Sequence, residues 1–586
     1  MNIIYALSVI CLLLSFLLIE KNNQKLSIIK SIIYTICLFF CYQTVIVCLL
    51  SYLKLGGHIL NYSIANLLII LILFLRIIKN KKTQKYYFDK LDFVLVTLAL
   101  IITFLIVSIR FNNFSNINYA SDDSAIHYKA AKLFSQNLEI LNSTNSKDII
   151  HGNFDKMMPI SYINGGFFIY ILSNIPSYRA FLFYDGVCLI LESLLFSITI
   201  CKITKKNNIL YQLTITVLYI TSYPLNSLIY GFCYLGLSTM IINLLLVTIK
   251  DYEKNINKNI YFKSTIILMM TYSIFYSYYL FVPFIYLSLG LYYIKLCKQK
   301  KITMKTIIIY GLITLILPFI LGFTKFILPI VSSTNSSIGK VVKLEGATYE
   351  NITPIIVFMI LTIYFIYHQI KKKEKINYLK INIYCLSINI VFFLILRELN
   401  LFGTYYLYKL FYPYFLLIFI DIAEKMYKHK KAIYIISGVI LYTSLMIMIS
   451  PNNIVSNKLE KINIYNYNAK KLVNSVIYLN KDELELIEKT KIYKKECEQN
   501  NEFILIGSSY KNLWFYEITE SIPVLNHFPY NRDQFNYPNI KLSMWKKRPD
   551  IKCALVLKEM LNESDEIDKS TILFENNKGY ILKKHD

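Results

Sequence analysis

A chain of 586 residues has room for roughly three or four soluble domains, but the composition excludes that organisation. Hydrophobic residues make up 55% of the chain and charged residues only 17%, whereas soluble domains contain about 25% charged residues. The formal net charge of +26 resides in short lysine clusters between apolar runs. Because a nucleic-acid site needs one contiguous basic face, this charge indicates membrane topology and not a nucleic-acid partner.

The long apolar runs predict a polytopic α-helical membrane protein with about 12 to 15 transmembrane helices. The first run has neither a basic region before it nor a small-residue cleavage site, so we expect a retained helix and not a signal peptide. The segment 157–175 is apolar but interrupted by Gly165 and Gly166, and we expect it to dip into the membrane or to lie on its surface. The predicted spans are 3–19, 27–49, 62–78, 91–109, 180–202, 209–222, 227–249, 264–279, 281–296, 305–329, 353–370, 381–396, 405–423 and 432–450.

Basic residues between these spans predict the orientation of the chain. When the spans alternate in direction, every basic cluster falls on one face, and the positive-inside bias assigns that face to the cytoplasm. The loops 110–156, 331–352 and 397–404 and the segment after Ser450 are then extracytoplasmic. The basic clusters are Lys21/Lys25/Lys30, Arg76 with Lys79/Lys81/Lys82/Lys85/Lys90, Lys202/Lys205/Lys206, Lys250/Lys254/Lys258/Lys263, 295–305, 371–380 and 425–431.

The last part of the chain differs in composition from the rest. It is charged and helical in character up to 495, and short strand-like runs follow, which include a hairpin formed by 571–575 and 579–583. Its cysteines, Cys497 and Cys553, can form one disulfide, and the sequence leaves open whether they pair. We therefore predict three parts: additional membrane helices in 1–90, a membrane body in 91–450 and a small soluble α/β domain in 451–586.

The segment 118–138 is the most informative part of the first long outer loop. Ser121 can cap a helix that begins at Asp122, and Asp123 and His127, four residues apart, then share one face. Acids in a first helical turn are common, because they interact favourably with the positive end of the helix dipole. Directly after a transmembrane helix, however, one Asp can deprotonate an acceptor hydroxyl, or both can hold a divalent cation such as Mg²⁺ or Mn²⁺.

The ten residues from Asp122 to Ala131, DDSAIHYKAA, follow a membrane helix that runs from the inner to the outer face. This arrangement resembles the first outer loop of C-type glycosyltransferases, the GT-C superfamily, and the layout of 91–586 is similar to theirs. The resemblance implies a polyprenyl-phosphate sugar as donor, a catalytic or metal-binding acid in this loop and a soluble extracytoplasmic domain at the end. The loop follows the first helix in the minimal family pattern, so the three earlier helices of this chain are an addition.

A second group of candidate residues lies late in the predicted membrane body. Tyr405, Tyr406 and Lys409 form a Tyr-Tyr-x-x-Lys segment that looks like late outer-loop segments of some of these transferases. Arg397 and Lys409 can bind a phosphate leaving group through charge-assisted hydrogen bonds, and Lys325 can be a further contact. Interfacial tyrosine belts and snorkelling lysines explain the same residues equally well.

These features predict an enzyme, a membrane glycosyltransferase whose acceptor is a glycan, a lipid or a protein. Asp123 or Asp122 would activate the acceptor hydroxyl, His127 would position it or join a metal site, and the basic residues would stabilise the departing phosphate. Inversion at the anomeric carbon is implied by the resemblance. The Lys-, Asn- and Ile-rich usage is typical of an AT-rich bacterial genome, so we expect a protein embedded in the lipid of a bacterial plasma membrane.

Two other classes of function remain open at this point. A transporter or flippase of lipid-linked saccharides predicts related halves of the chain and charged residues at the bilayer midplane. The sequence shows no such halves, and Glu192 is the one candidate midplane charge. A polymerase or ligase of surface polysaccharide has a similar predicted topology.

Overall fold

Apolar helices dominate the structure, because a backbone in lipid must satisfy its hydrogen bonds within each segment. In the part of the chain that is described, ten helices are long and apolar enough to cross a membrane, and Ile3–Leu18 and Lys431–Ile447 are shorter apolar helices. The chain therefore has the fold of a polytopic helical membrane protein. The computed structural model describes residues 2–19, 26–80, 83–111, 122–141, 158–204, 208–328, 353–372, 375–399, 401, 403–427, 430–449, 463–473, 479–493, 497, 503–506, 514–515, 518–519, 541–549, 551–562 and 565–584.

Each predicted span overlaps a described helix. The first helices are α1 (Asn2–Leu18), α2 (Ile28–Tyr52), α3 (Ile59–Asn80), α4 (Lys90–Phe111), α5 (Asp122–Asn137), α6 (Pro159–Ile171), α7 (Ser177–Thr204), α8 (Ile209–Ile220), α9 (Tyr223–Tyr230), α10 (Cys233–Tyr252), α11 (Ile260–Ser277) and α12 (Val282–Lys298). They are followed by α13 (Met304–Gly311), α14 (Leu317–Gly322), α15 (Thr353–Lys372), α16 (Tyr378–Glu398), α17 (Thr404–Lys409), α18 (Phe411–Met426) and α19 (Lys430–Ile449). The predicted cap Ser121, the loop 331–352 and most of the loop 110–156 lie outside the described residues.

The described members of the basic clusters lie at one end of the helix bundle. The chain next to α2 pairs with the chain before α4 through the short parallel strands β1 (Leu26–Ser27) and β2 (Tyr86–Tyr87). Three ion pairs join further basic segments: Lys30 with Asp92 at 3.0 Å, Lys202 with Asp251, and Lys301 with Glu253 at 2.9 Å. The later basic loops lie at the same end. Asn377 and Glu424, which belong to or adjoin these loops, line a small cavity together with Lys202 and Glu253. The alternation of spans predicted from the sequence therefore agrees with the structure.

Glu192 is buried inside the bundle on α7, with 2% of its surface exposed. The hydroxyls of Tyr219 and Thr239 donate hydrogen bonds to its Oε1 at 2.8 and 2.6 Å. The sequence offered no partner for this carboxyl, because its partners are neutral hydroxyls on α8 and α10 and not an opposite charge.

The C-terminal part contains α20 (Ile464–Val473), α21 (Lys481–Tyr493), α22 (Leu542–Lys546) and a four-stranded sheet. In the sheet, β3 (Phe503–Ile506) runs parallel to β4 (Cys553–Leu557), while β6 (Gly579–Lys583) lies antiparallel between β4 and β5 (Ile572–Glu575). The predicted hairpin is thus confirmed. Cys497 and Cys553 form a disulfide, which settles the pairing that the sequence left open.

Buried hydrogen bonds dock this C-terminal part onto the bundle. Asn468 of α20 is fully buried, and its Nδ2 donates to the carbonyl oxygens of Thr221 and Ser222 at 2.9 and 2.6 Å. Its Oδ1 accepts from Asn226 of α9 at 3.0 Å. Because a buried amide without partners is costly, these bonds specify where α20 sits, at the junction of α8 and α9.

Candidate functional site

Helix α5 carries the acidic motif and lies at the end of the bundle opposite the basic loops. At its C-terminus the Leu138 carbonyl accepts a hydrogen bond from the Gly57 N–H at 3.1 Å. Gly57 lies between α2 and α3, at the far end of α2 from Lys30. The C-terminal part reaches the same place, since Trp514 stacks on Tyr128 of α5 with ring centroids 5.7 Å apart.

Close packing against α6 holds α5 in position. Ala125, Ala130, Ala131 and Phe134 are fully buried on α5. A Cβ at Gly166 of α6 would lie 2.7 Å from the carbonyl oxygen of Ala131. The expectation that the glycines interrupt segment 157–175 was therefore wrong: they lie inside a continuous helix and allow two helices to approach closely.

Lys409, the last residue of α17, is buried with 2% of its surface exposed. Its ammonium donates a hydrogen bond to the Tyr234 hydroxyl at 2.6 Å. Four aromatic rings surround it, with centroids at 3.6 Å for Tyr405, 4.5 Å for Phe232, 5.2 Å for Tyr234 and 5.7 Å for Tyr278. Aromatic faces stabilise a cation without neutralising it, and an ammonium has three donors, so Lys409 retains the capacity to bind an anion.

Asp123 lies at the hydroxyl end of Tyr405. The Tyr405 hydroxyl donates to Asp123 Oδ2 at 3.4 Å, while the face of the same ring contacts the Lys409 ammonium. The charge of Lys409 also acts on the Asp123 carboxyl. Tyr405 therefore connects a carboxyl and an ammonium that lie on separate helices, and 282 residues separate Tyr405 from Asp123.

His127 completes this group on the same face of α5 as Asp123. Its Nδ1 lies 3.2 Å from the Oγ of Ser161 on α6, and its ring centroid lies 5.1 Å from that of Tyr234. Tyr234 therefore contacts both His127 and Lys409. We name Asp123, His127, Tyr234, Tyr405 and Lys409 the acid–lysine cluster.

Burial changes the acid–base properties of the two α5 groups. It raises the pKa of the Asp123 carboxyl, although the charge of Lys409 and the hydrogen bond from Tyr405 oppose this effect. Burial and the nearby charge of Lys409 lower the pKa of His127 to about 3. At neutral pH, His127 is thus a neutral hydrogen-bonding group, whereas Asp123 is a stronger base than an exposed carboxylate.

Arg397 and Tyr406, two other candidates from the second group, lie close to the acid–lysine cluster but have other contacts. Arg397, partly exposed at the end of α16, donates through Nε to the Thr404 hydroxyl at 3.1 Å and lies 3.6 Å from Glu398. Its guanidinium therefore joins α16 to α17. The Tyr406 ring packs edge-on against Tyr405, with centroids 5.3 Å apart, and supports the ring that contacts Lys409.

Lys325 and Asp122 are not part of the described cluster. Lys325 lies on a π-helical turn, Phe323–Ile327, and is exposed, with its ammonium 5.7 Å from the ring centroid of Tyr52. None of the described contacts joins it to Lys409. Asp122 begins α5, but its side chain falls outside the described residues.

Of the four aromatic residues that surround Lys409, the sequence candidates included only Tyr405. Phe232, Tyr234 and Tyr278 lie at the start of α10 and just after α11, at the same end of the bundle as α17. Tyrosines at helix ends are ordinarily explained by the membrane interface, so their identity alone gives no signal. Ser161, the partner of His127, lies about one helical turn before the glycine pair, and its polarity in an apolar segment was the available clue.

The predicted divalent cation site pairs Asp123 with Asp122, whose side chain lies outside the described residues. Among the described side chains, no group of three His, Cys, Asp or Glu residues lies close enough together to hold a metal ion. The described neighbours of Asp123 are a phenol and an ammonium, and hard cations prefer carboxylate and carbonyl oxygens. These residues do not fit a metal site by themselves.

No protein-family model matches this chain, and no curated protein is significantly similar to it.

Proposed function

We propose that this chain is a membrane glycosyltransferase that moves a sugar from a polyprenyl-phosphate carrier to an acceptor hydroxyl. The observation that supports it best is that Asp123 and Lys409 contact one tyrosine, Asp123 at the hydroxyl of Tyr405 and Lys409 at the face of its ring. One is a carboxyl whose pKa burial raises, and the other is a buried lysine whose ammonium form can bind phosphate. Transfer from a phosphate ester needs these two groups on opposite sides of the reacting carbon.

In the proposed reaction, the acceptor O–H bond breaks and its proton passes to a carboxylate oxygen of Asp123. The acceptor oxygen bonds to the anomeric carbon as the bond from that carbon to the phosphate oxygen breaks. The electron pair of the broken bond leaves with the polyprenyl phosphate, whose developing charge is stabilised by the Lys409 ammonium. Neutral His127 accepts or donates a hydrogen bond that orients the acceptor, and direct displacement inverts the anomeric centre.

We further propose that the cluster faces the extracytoplasmic side of a bacterial plasma membrane. The basic loops lie at the opposite end of the bundle, where the positive-inside bias places the cytoplasm. The Cys497–Cys553 disulfide supports the same orientation, because such bonds persist in oxidising compartments outside the cytoplasm. The C-terminal part would then cover the site from outside, since it contacts α5 through Trp514.

A transporter of lipid-linked saccharides is the second candidate. Buried Glu192 is the observation that favours it, because ionisable groups inside membrane spans often line a transport path. Its carboxyl, however, is bound by Tyr219 and Thr239, as in a structural contact between helices. The rival proposals differ in outcome: a transferase breaks the sugar–phosphate bond, and a transporter leaves it intact.

The test uses the full chain in proteoliposomes with polyprenyl-phosphate hexoses and pentoses that are radiolabelled in the sugar. Envelope extracts supply the acceptor, and the release of label from the lipid is measured. Asp123→Asn is expected to slow transfer by about 100- to 10,000-fold, the contribution of a general base. Lys409→Met removes the phosphate contact and is expected to lose both transfer and retention of unlabelled polyprenyl phosphate.

Glu398→Gln is the matched control for Asp123→Asn, because its carboxyl is exposed near the same end of the bundle. We expect it to transfer at the wild-type rate. Transfer by Asp123→Asn at the rate of the Glu398→Gln control would refute the role of Asp123 as the base. Label that crosses the bilayer still bound to its carrier would identify a transporter. Addition of a chelator tests the divalent cation in the same assay.

A further inference from the structure

An apolar groove runs along the bundle between α1, α2, α3 and α11. Its volume is about 480 Å³, and twenty residues line it. Seventeen of them are hydrophobic, and the other three are Thr35, Thr265 and Arg76. No role in the proposed transfer requires this groove, since it involves the additional N-terminal helices and not the acid–lysine cluster.

The groove ends at an arginine. Arg76 lies one turn before the end of α3, at the basic end of the bundle, and its guanidinium stacks on the Phe262 ring at 4.0 Å. Its Nε is buried and has no hydrogen-bond partner among the described residues. An unpartnered buried donor of this kind costs on the order of 1–3 kcal/mol, so an acceptor from outside the described chain would be stabilising here.

The length of the groove suits a lipid chain. Its lining on α2 extends from Thr35 to Leu49, which corresponds to about 21 Å at 1.5 Å per residue. The hydrocarbon core of a bilayer is about 30 Å thick, so the groove covers more than the depth of one leaflet. Arg76 stands at the end of the groove where the headgroup of that leaflet would lie.

We propose that this groove binds an anionic phospholipid of the leaflet at the basic end of the bundle. Its acyl chain would lie between α1, α3 and α11, and its phosphate would accept hydrogen bonds from the guanidinium of Arg76. Arginine suits this role because its planar fork matches two phosphate oxygens, and the Phe262 ring already fixes the orientation of that fork. Basic pockets between membrane helices are known to recognise anionic headgroups in this way.

The bound lipid would join the N-terminal helices to the rest of the bundle. In the described chain, α1 and α3 pack on each other around Leu12 and Leu73, and both of these residues also line the groove. A chain in the groove would add apolar contacts between that pair and Met269 of α11. We therefore expect the lipid to raise the thermal stability of the protein.

The proposal is tested with the purified full chain in detergent, stripped of lipid and then titrated with phosphatidylglycerol or phosphatidylcholine of identical acyl chains. Native mass spectrometry counts retained lipids, and thermal unfolding reports stability. The wild type is expected to retain phosphatidylglycerol at least fivefold better than phosphatidylcholine and to gain stability from it alone. Arg76→Gln should lose this preference.

Lys79→Gln is the matched control, because it removes one positive charge from the same end of α3 at an exposed residue that does not line the groove. It should retain the preference for phosphatidylglycerol. Arg76→Lys keeps the charge but loses the fork, so an intermediate preference is expected, and this variant also covers the case in which Arg76→Gln does not fold. Equal retention of both lipids by the wild type, or an equal loss in Lys79→Gln, would overturn the proposal. Displacement of phosphatidylglycerol by polyprenyl phosphate would also overturn it, because the groove would then belong to the sugar carrier.

Discussion

Replacement of Gly166 by alanine tests the packing that holds the acid–lysine cluster together. A Cβ at this position would collide with the Phe134 ring and lie 2.7 Å from the Ala131 carbonyl oxygen. An aromatic ring can rotate, but a backbone carbonyl in α5 can retreat only if the helix moves. The substitution should therefore displace α5 and, with it, Asp123 and His127.

Two opposing effects determine how much Gly166→Ala changes the free energy of unfolding. Overpacking of a tight interior contact costs about 1–3 kcal/mol. Alanine in place of glycine favours a helix by up to about 1 kcal/mol. Because the contact involves backbone, we expect the cost to prevail, with a net loss of roughly 1–2 kcal/mol in the free energy of unfolding.

The measurement is thermal unfolding in detergent, beside Gly311→Ala as the matched control. Gly311 lies at the end of α13, and beyond its own stretch of helix no described atom lies within 4 Å of the position of its Cβ, so alanine there should keep or raise stability. Gly166→Ala should unfold at a lower temperature than wild type and transfer sugar more slowly. Equal stability of the two alanine variants would refute the close approach of α5 and α6.

Two further predictions concern the C-terminal part and His127. The disulfide joins residues with a sequence separation of 56, so its loss in Cys497→Ser/Cys553→Ser should destabilise the C-terminal part by about 4 kcal/mol. Resistance of the double variant to protease equal to that of the wild type would contradict this. The pKa of His127 is about 3 in the folded protein, below the value near 6.5 of the unfolded chain. Between these two pH values the unfolded state binds more protons than the folded state. The free energy of unfolding therefore falls as the pH drops through this window. His127→Gln should flatten that pH dependence of the unfolding midpoint, and a slope identical to the wild type would show that His127 is not the group responsible.

Much of the membrane architecture could be predicted because its signals are local. A backbone in lipid has to form helices, so apolar runs of sufficient length locate the spans without knowledge of their neighbours. The lysine clusters between the spans are also local signals, and they predict the alternation of the spans. The hairpin of β5 and β6 was predicted from residues adjacent in the chain, and the structure confirms it.

Glycines and cysteines show where local signals are insufficient. Gly165 and Gly166 resemble a helix break, but whether a glycine breaks a helix or admits a neighbour depends on what lies opposite, here α5 and Tyr184. Cys497 and Cys553 pair because the fold of the C-terminal part brings them together. Neither outcome is encoded within a few residues of the position concerned.

By itself, the sequence determined that this chain is a polytopic helical protein, and it singled out Asp123, His127 and Lys409 from two distant segments. Only the tertiary structure decided that the packing of α5, α10 and α17 brings them together around Tyr405 and Tyr234. It also left Lys325 outside the group and supplied the aromatic surroundings of Lys409. The physical reason is that hydropathy specifies each helix separately, whereas the neighbours of a buried charge depend on how all the helices pack.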